Sequence, residues 1–264
     1  MAKAGLPTMA QLGEDLRRTT PWQRWTPFLM PWLWAMGFVI LWGTPWRWGC
    51  AVCLVMVFSA CSTSAHDVVH GSLGLSRTAT ERMLFLLGAP ILESGHAYRL
   101  THLEHHRIFP DEADVEGEAA HLPLWKVLLS GPIFLPRLWL WAWRKSADRP
   151  EARRWLVAEA FLPVVGTGLG LLHPGVHAYA VSVVVSSWFY PTFAVWLPHR
   201  HFEPEPTRHS LTCRGWLIPR MFLPLAYHLE HHLYPGVPSH NLPELARRLE
   251  PVLRERGVGF VRVP

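Results

Sequence analysis

Along this chain, long apolar blocks are separated by short polar ones. Four blocks can be set against the ~20 residues a helix needs to cross a bilayer: about 22–42, 48–65, 155–172 and 178–197. Gly43-Thr44-Pro45-Trp46 interrupts the first pair, and His173-Pro174-Gly175-Val176-His177 the second, as turn-forming residues should. The pattern predicts an all-α integral membrane protein with four transmembrane helices in two hairpins.

Two further apolar stretches are poorer spans. Residues 83–92 are too few, and 122–143 are interrupted by Lys126, Pro132, Pro136 and Arg137. Both are expected to lie in the membrane interface or to cover a buried groove. Between them runs a polar loop, Asp111–Glu118. Near the C-terminus, residues 242–256 set Leu245, Leu249, Val252 and Leu253 against Arg247, Arg248, Arg254 and Arg256. That spacing predicts an amphipathic cytoplasmic helix, stopped by Gly257. No linker or shift in composition divides the chain, so 1–264 is read as one domain.

Charge orients the hairpins. Arg17, Arg18 and Arg24 precede the first block, and Arg144, Lys145, Arg149, Arg153 and Arg154 precede the third. The tight turns offer only Arg47. The positive-inside rule then places both termini and the central loop in the cytoplasm. Half of the 264 residues are hydrophobic, 17% are charged, and 15 are tryptophans, a residue that gathers at membrane boundaries. The formal charge of +5 is not arranged as a basic stripe with interleaved stacking aromatics, which excludes a nucleic-acid partner. Cys50, Cys53, Cys61 and Cys213 give no disulfide framework, and the Cys50–Cys53 pair lies in an apolar run as small hydrophobes do. The polar first 20 residues carry no expected signal peptide.

The chemistry is in the histidines. Eight of the 16 fall in three boxes: His66-Asp67-Val68-Val69-His70, His102-Leu103-Glu104-His105-His106 and His228-Leu229-Glu230-His231-His232. On a helix, positions i, i+3 and i+4 share a face, so each box aims two or three imidazoles in one direction. Eight neutral nitrogen donors exceed what one tetrahedral ion accepts, and suit two metal ions. The predicted topology puts all three boxes on the cytoplasmic side, where they can meet. A zinc hydrolase of the His-Glu-x-x-His type would leave six of these histidines unused and has Asp67 where Glu is needed. A bis-histidine haem protein would carry its ligands within the bilayer rather than at helix ends. A metal transporter would carry ionisable groups in mid-membrane, where this chain has only Glu159, near the start of the third block.

A His-Asp-x-x-His box followed by two His-x-x-His-His boxes on four membrane helices resembles the membrane fatty-acid desaturase superfamily. That superfamily includes desaturases, hydroxylases and carotenoid ring ketolases. The resemblance runs from Trp22 to about Arg248, and its motifs are specific in combination. It implies a membrane non-haem di-iron oxidoreductase that activates dioxygen and takes electrons from a carrier such as a ferredoxin or a cytochrome. It implies as iron ligands His66, His70, His102, His105, His106, His228, His231 and His232. A ninth ligand is expected at the end of the preceding helix, Trp196-Leu197-Pro198-His199-Arg200-His201. His199 is taken for it, with His201 as the rival. Where acyl desaturases can place an Asn, this chain has Val195, which implies a different arrangement around the second iron.

Redox iron fits clustered imidazoles with open positions, since zinc cannot reduce dioxygen. Each imidazole also needs a partner for its other ring nitrogen. Asp67, Glu104, Glu230, Asp111, Asp114, His201 and His96 are the positions considered for that outer role, His96 against contact with solvent or headgroups. For the substrate, Tyr227 through Pro243 looks like the third-box region of lipid desaturases. The segments at 66–73 and 197–200 are similar to those of carotenoid ring ketolases. Fatty acyl desaturation is the favoured expectation, and β-ring ketolation or hydroxylation of a carotenoid the alternative.

Overall fold

Helices dominate the computed structural model, which describes residues 5–264. A short α1 (Met9–Leu12) leads into α2 (Pro21–Trp42) and α3 (Gly49–Val69). Thr20 starts α2 in a capping box with Gln23, and Pro21 occupies the first turn, where its missing N–H costs nothing. The turn is closed by Thr44, whose hydroxyl donates to Leu41 O at 2.9 Å and accepts from Trp46 N at 3.1 Å. At about 1.5 Å per residue, α2 and α3 each extend a little over 30 Å. Among the described residues they are the two single helices long and apolar enough to cross a membrane. α2 turns Leu29, Trp32, Leu33, Met36 and Ile40 outward, and buries Phe38 against Cys50, Cys53 and Val57 of α3. Cys50 and Cys53 are thus core hydrophobes, as expected.

The second half departs from simple spans. Block 155–172 is broken at Phe161 into α7 (Pro150–Ala160) and α8 (Leu162–Gly170). Pro163 has no N–H to donate to Glu159 O, and it falls in the first turn of α8, where that missing donor costs nothing. Block 178–197 is α9 (Pro174–Ser187), then a π-helical stretch Pro191–Trp196 that runs into α10 (Leu197–His199), with a bend of 42°. Pro191 likewise stands at the start of the π-helical stretch, where its missing N–H is tolerated. Counting that bent pair as one span gives three candidates rather than the four expected.

Between the hairpins lie α4 (Arg77–Ile91), α5 (Gly95–Ile108) and α6 (Leu124–Lys145). The stretch read as a short interfacial segment at 83–92 is part of α4. The one read as interrupted at 122–143 is a continuous 22-residue helix that passes through Pro132 and Pro136. α4 and α5 form a tight hairpin because Gly95 lies against the backbone of Leu84, where a Cβ would come within 2.3 Å of its carbonyl oxygen.

The C-terminal part is built from short helices and one longer one. It contains α11 (Ile218–Met221), α12 (Leu223–Ala226), α13 (His228–Leu233) and α14 (Leu242–Glu255), with a two-residue parallel pairing of β1 (Cys213–Arg214) and β2 (Val261–Arg262). Leu242, Leu245, Leu249 and Leu253 of α14 are buried against Leu229 and Leu233 of α13 and Leu12 and Leu16 of the N-terminal segment. Gly257, at φ +69°, follows the end of α14. Arg248 fastens the N-terminal segment to α14 by donating to Leu12 O and to both carboxylate oxygens of Asp15.

Candidate metal centre

The end of α3, the second half of α5, α10 and α13 converge on one place, and nine histidines meet there in two groups. His66, His70, His102, His106 and His231 form one; His105, His199, His228 and His232 form the other. Within each group the potential ligand atoms lie within 4.8 Å of one another. The groups abut, with the His106 and His232 rings stacked at 4.3 Å between centroids.

Helix geometry sorts the histidines. In box one, His66 and His70 are i,i+4 neighbours and join the same group. In box two, His102 and His106 join that group, whereas His105, about 100° round the helix from His106, joins the other. Box three mirrors this: His228 and His232 go together, and His231 crosses over. A His-x-x-His-His string therefore presents imidazoles to two adjacent groups from a single helical turn.

The nitrogens approach closely. In the first group, Nε2 of His66 is 2.9 Å from Nε2 of His231, which is 2.8 Å from that of His106, itself 3.2 Å from that of His102. In the second, Nε2 of His199 lies 3.2 Å from that of His105 and 3.0 Å from that of His228, which is 3.2 Å from that of His232. Two nitrogens each about 2.1 Å from one ion, at right angles to each other, would be roughly 3.0 Å apart.

The outer nitrogens decide what occupies the centre. Nδ1 of His199 donates to His209 O at 2.8 Å, and Nδ1 of His228 to Pro224 O at 3.0 Å. A carbonyl only accepts, so both rings carry their proton on Nδ1, and in neutral rings both Nε2 atoms are bare lone pairs. Burial holds His228 neutral, pushing its pKa down to about 3. Two such lone pairs facing at 3.0 Å repel unless a cation lies between them. The donor set thus fits a metal ion, and its all-imidazole character suits a redox metal as well as zinc.

Two acidic side chains act from behind. Asp114 accepts from Nδ1 of His105 at 2.6 Å, and Glu116 from Nδ1 of His102 at 3.1 Å. Both are buried in the loop after α5. Asp114 also receives Glu116 N at 3.1 Å, and Gly117 passes so close that a Cβ would lie 2.3 Å from Asp114 Oδ2. Tyr190 Oη donates to Glu116 at 3.3 Å, and Tyr98 stacks on the His102 ring at 4.8 Å. Phe109 covers the second group, 4.3 Å from His199 and 4.9 Å from His105.

Of the outer positions considered from sequence, only Asp114 has that place. Asp67 instead accepts from Ser239 N and Ser239 Oγ at 2.9 and 2.7 Å, tying box one to the turn before α14. Its nearest oxygen is 3.9 Å from His66 Nδ1, too far for a hydrogen bond. Glu104 faces outward to Arg107 and Lys145. Glu230 is buried with Thr212 and Arg214. Asp111 accepts from Ala113 N within its own loop. His201 is exposed, at φ +62°, and outside both groups. His96 meets neither solvent nor the boxes: its nitrogens lie 2.7 Å from Glu159 and 2.9 Å from Glu81. Val195 is packed in an apolar core with Phe134 and Leu138. Glu116 was not singled out from sequence; its signal was an acidic loop directly following a histidine-bearing helix.

Comparison with known proteins agrees with this geometry. A family model described as fatty acid desaturase matches residues 42–264. The chain is 27% identical over 239 residues to the probable fatty acid desaturase DES1 of Sorghum bicolor, covering 75% of this chain and 61% of that protein, so it spans about three-fifths of the sorghum protein's length. It is 27% identical over 192 residues to a beta-carotene ketolase of Paracoccus sp., covering 68% of this chain and 70% of the ketolase. It is 26% identical over 265 residues to the sphingolipid delta(4)-desaturase/C4-monooxygenase DES2 of Homo sapiens, covering 89% and 76% respectively. The matched region takes in all three boxes and His199, and the chain belongs to the fatty acid desaturase family, a family of oxidoreductases.

Proposed function

We propose that this protein is a membrane-bound di-iron enzyme that uses dioxygen and electrons to oxidise C–H bonds of a lipid, with fatty acyl desaturation as its reaction. The observation that carries this reading is the facing of bare imidazole nitrogens in groups of five and four. His66, His70, His102, His106 and His231 would hold one iron, and His105, His199, His228 and His232 the other. Iron held there supplies the activation of dioxygen. The net desaturation would consume one dioxygen, two hydrogens of the acyl chain, two electrons from a ferredoxin or cytochrome and two protons, and yield an alkene and two waters.

The protein's own residues do the positioning. Asp114, Glu116 and the carbonyls of Pro224 and His209 fix ring orientation and leave Nε2 free to ligate. Phe109, Tyr98 and Tyr190 close the site against water on the sides they occupy. In this reading α2, α3, α7–α8 and α9–α10 are four crossings in two hairpins of a single domain, 1–264, with a cytoplasmic histidine cap and both termini on that side. Outward-facing Leu29, Met36, Val164, Leu169, Val185 and Phe193 support contact with lipid.

Expression in a host that makes β-carotene, with fatty acids and pigments profiled together, tests the reaction. New double bonds in acyl chains are expected. Oxygenated carotenoid rings with unchanged acyl chains would replace this reading with a ketolase or hydroxylase, which the similarity to the Paracoccus ketolase makes the natural rival.

A further inference from the structure

Away from the histidines, a cleft of about 350 Å³ opens where the N-terminal segment, the first turn of α2 and the loop after box one meet. Arg17, Arg18, Thr19 and Arg24 line one side, and Ser72, Leu73 and Gly74 the other. It holds three guanidinium groups and almost no compensating charge. Arg17 has Glu14 at 3.7 Å. Arg18 makes no side-chain hydrogen bond or ion pair among the described residues, and the one hydrogen bond of the Arg24 side chain is a 3.4 Å contact to Thr19 Oγ1. Among the described residues, the Nε of Arg24 is buried without a partner. An unpaired buried donor on a cation is costly, so this atom points to a missing acceptor.

The cleft is built rather than accidental. Asn241 donates from Nδ2 to Leu16 O at 2.9 Å and to Arg18 O at 3.1 Å, holding the arginine segment in place. Asp15, the nearby acid that would otherwise neutralise it, is engaged by both terminal nitrogens of Arg248. On the other side Ser72 Oγ donates to Asp67 O at 3.1 Å, and Gly71 and Gly74 adopt φ of +65° and +63°. Beside the cleft on α2, Trp22 and Trp25 are exposed, as aromatics are at the headgroup level of a bilayer.

We propose that this cleft binds the phosphate of an anionic phospholipid headgroup from the leaflet around α2. A guanidinium fork matches phosphate oxygens bidentately, and Arg24 Nε would gain the acceptor it lacks. The cleft lies at the N-terminal end of α2, where a headgroup would sit if α2 crosses the membrane, and the proposal takes from the functional reading only that crossing. The occupied cleft would brace the loop two residues beyond His70.

The test is lipid retention. Protein reconstituted in bilayer discs of mixed phosphatidylglycerol and phosphatidylcholine is stripped with mild detergent, and the retained lipids are counted by mass spectrometry. The wild type should keep phosphatidylglycerol in preference to phosphatidylcholine. Arg18→Gln and Arg24→Gln should each cut that preference about fivefold. Arg149→Gln, an exposed arginine of the central loop outside the cleft, should leave it unchanged. Arg18→Gln breaks no side-chain hydrogen bond or ion pair among the described residues, so it separates lost binding from lost folding. Equal retention by wild type and Arg18→Gln, or equal loss in Arg149→Gln, overturns the proposal. Displacement of the lipid by inorganic phosphate at low concentration would assign the cleft to free phosphate and overturn it too. Failure of the protein to enter discs at all would instead refute the membrane reading.

Discussion

Asp114 accepts the Nδ1 proton of His105 at 2.6 Å, while two residues later Glu116 accepts that of His102 at 3.1 Å. One loop thus orients one imidazole in each histidine group. Removing either carboxylate frees its ring to turn and to protonate at the wrong nitrogen. Asp114→Ala is expected to weaken metal binding at the four-histidine site by about 10–100-fold, and Glu116→Ala at the five-histidine site by as much. Titration with a chelator, followed by metal analysis, should show each variant losing one ion early and retaining the other. Simultaneous loss of both ions in both variants would contradict the separate assignment.

The choice between His199 and His201 becomes a direct comparison. His199 is buried among the second group and its neighbour is exposed. His199→Ala should lower metal content at that site, and His201→Ala should leave content and turnover within error of the wild type. Metal loss in His201→Ala would reverse the assignment.

Box one carries an acid whose work is structural. Asp67→Ala leaves Ser239 N without its acceptor in the interior, at an expected cost of about 1–3 kcal/mol. A lowered unfolding midpoint with unchanged metal content is the predicted signature. A large loss of metal at unchanged stability would make Asp67 an orienting group after all.

The histidine boxes could be read from the chain because ligation and helix periodicity leave a pattern in contiguous residues. His66 and His70, or His102 and His106, fall on one face wherever their helix goes. The division into groups of five and four could not be read, because it depends on how α3, α5 and α13 approach each other. Outer partners were read poorly for the same reason. Glu104 and Glu230 sit inside boxes, but the helix turns one towards Arg107 and the other towards Arg214, and the acids that reach the rings come from a loop. The first hairpin was legible because its two apolar blocks are long and divided only by a short turn, and Pro27 and Pro31 lie within α2 without breaking it. The later blocks break beside Pro163 and Pro191, whereas Pro132 and Pro136 lie inside a continuous helix, so neither hydropathy nor the position of a proline told where the breaks fall.

Topology offers an independent check. Single cysteines in a cysteine-free background, one at Glu112 and one at Arg256, should both be labelled by an impermeant reagent from the cytoplasmic side only. A third at Leu172, exposed at the α8–α9 turn, should be labelled from the opposite side. Labelling of Glu112 and Arg256 from opposite sides would contradict the four-crossing arrangement.

The central claim is that the two imidazole groups hold two irons, and elemental analysis of the purified protein addresses it most directly. The account predicts close to two irons per chain, falling to close to one in His199→Ala. A single zinc with no iron would contradict it.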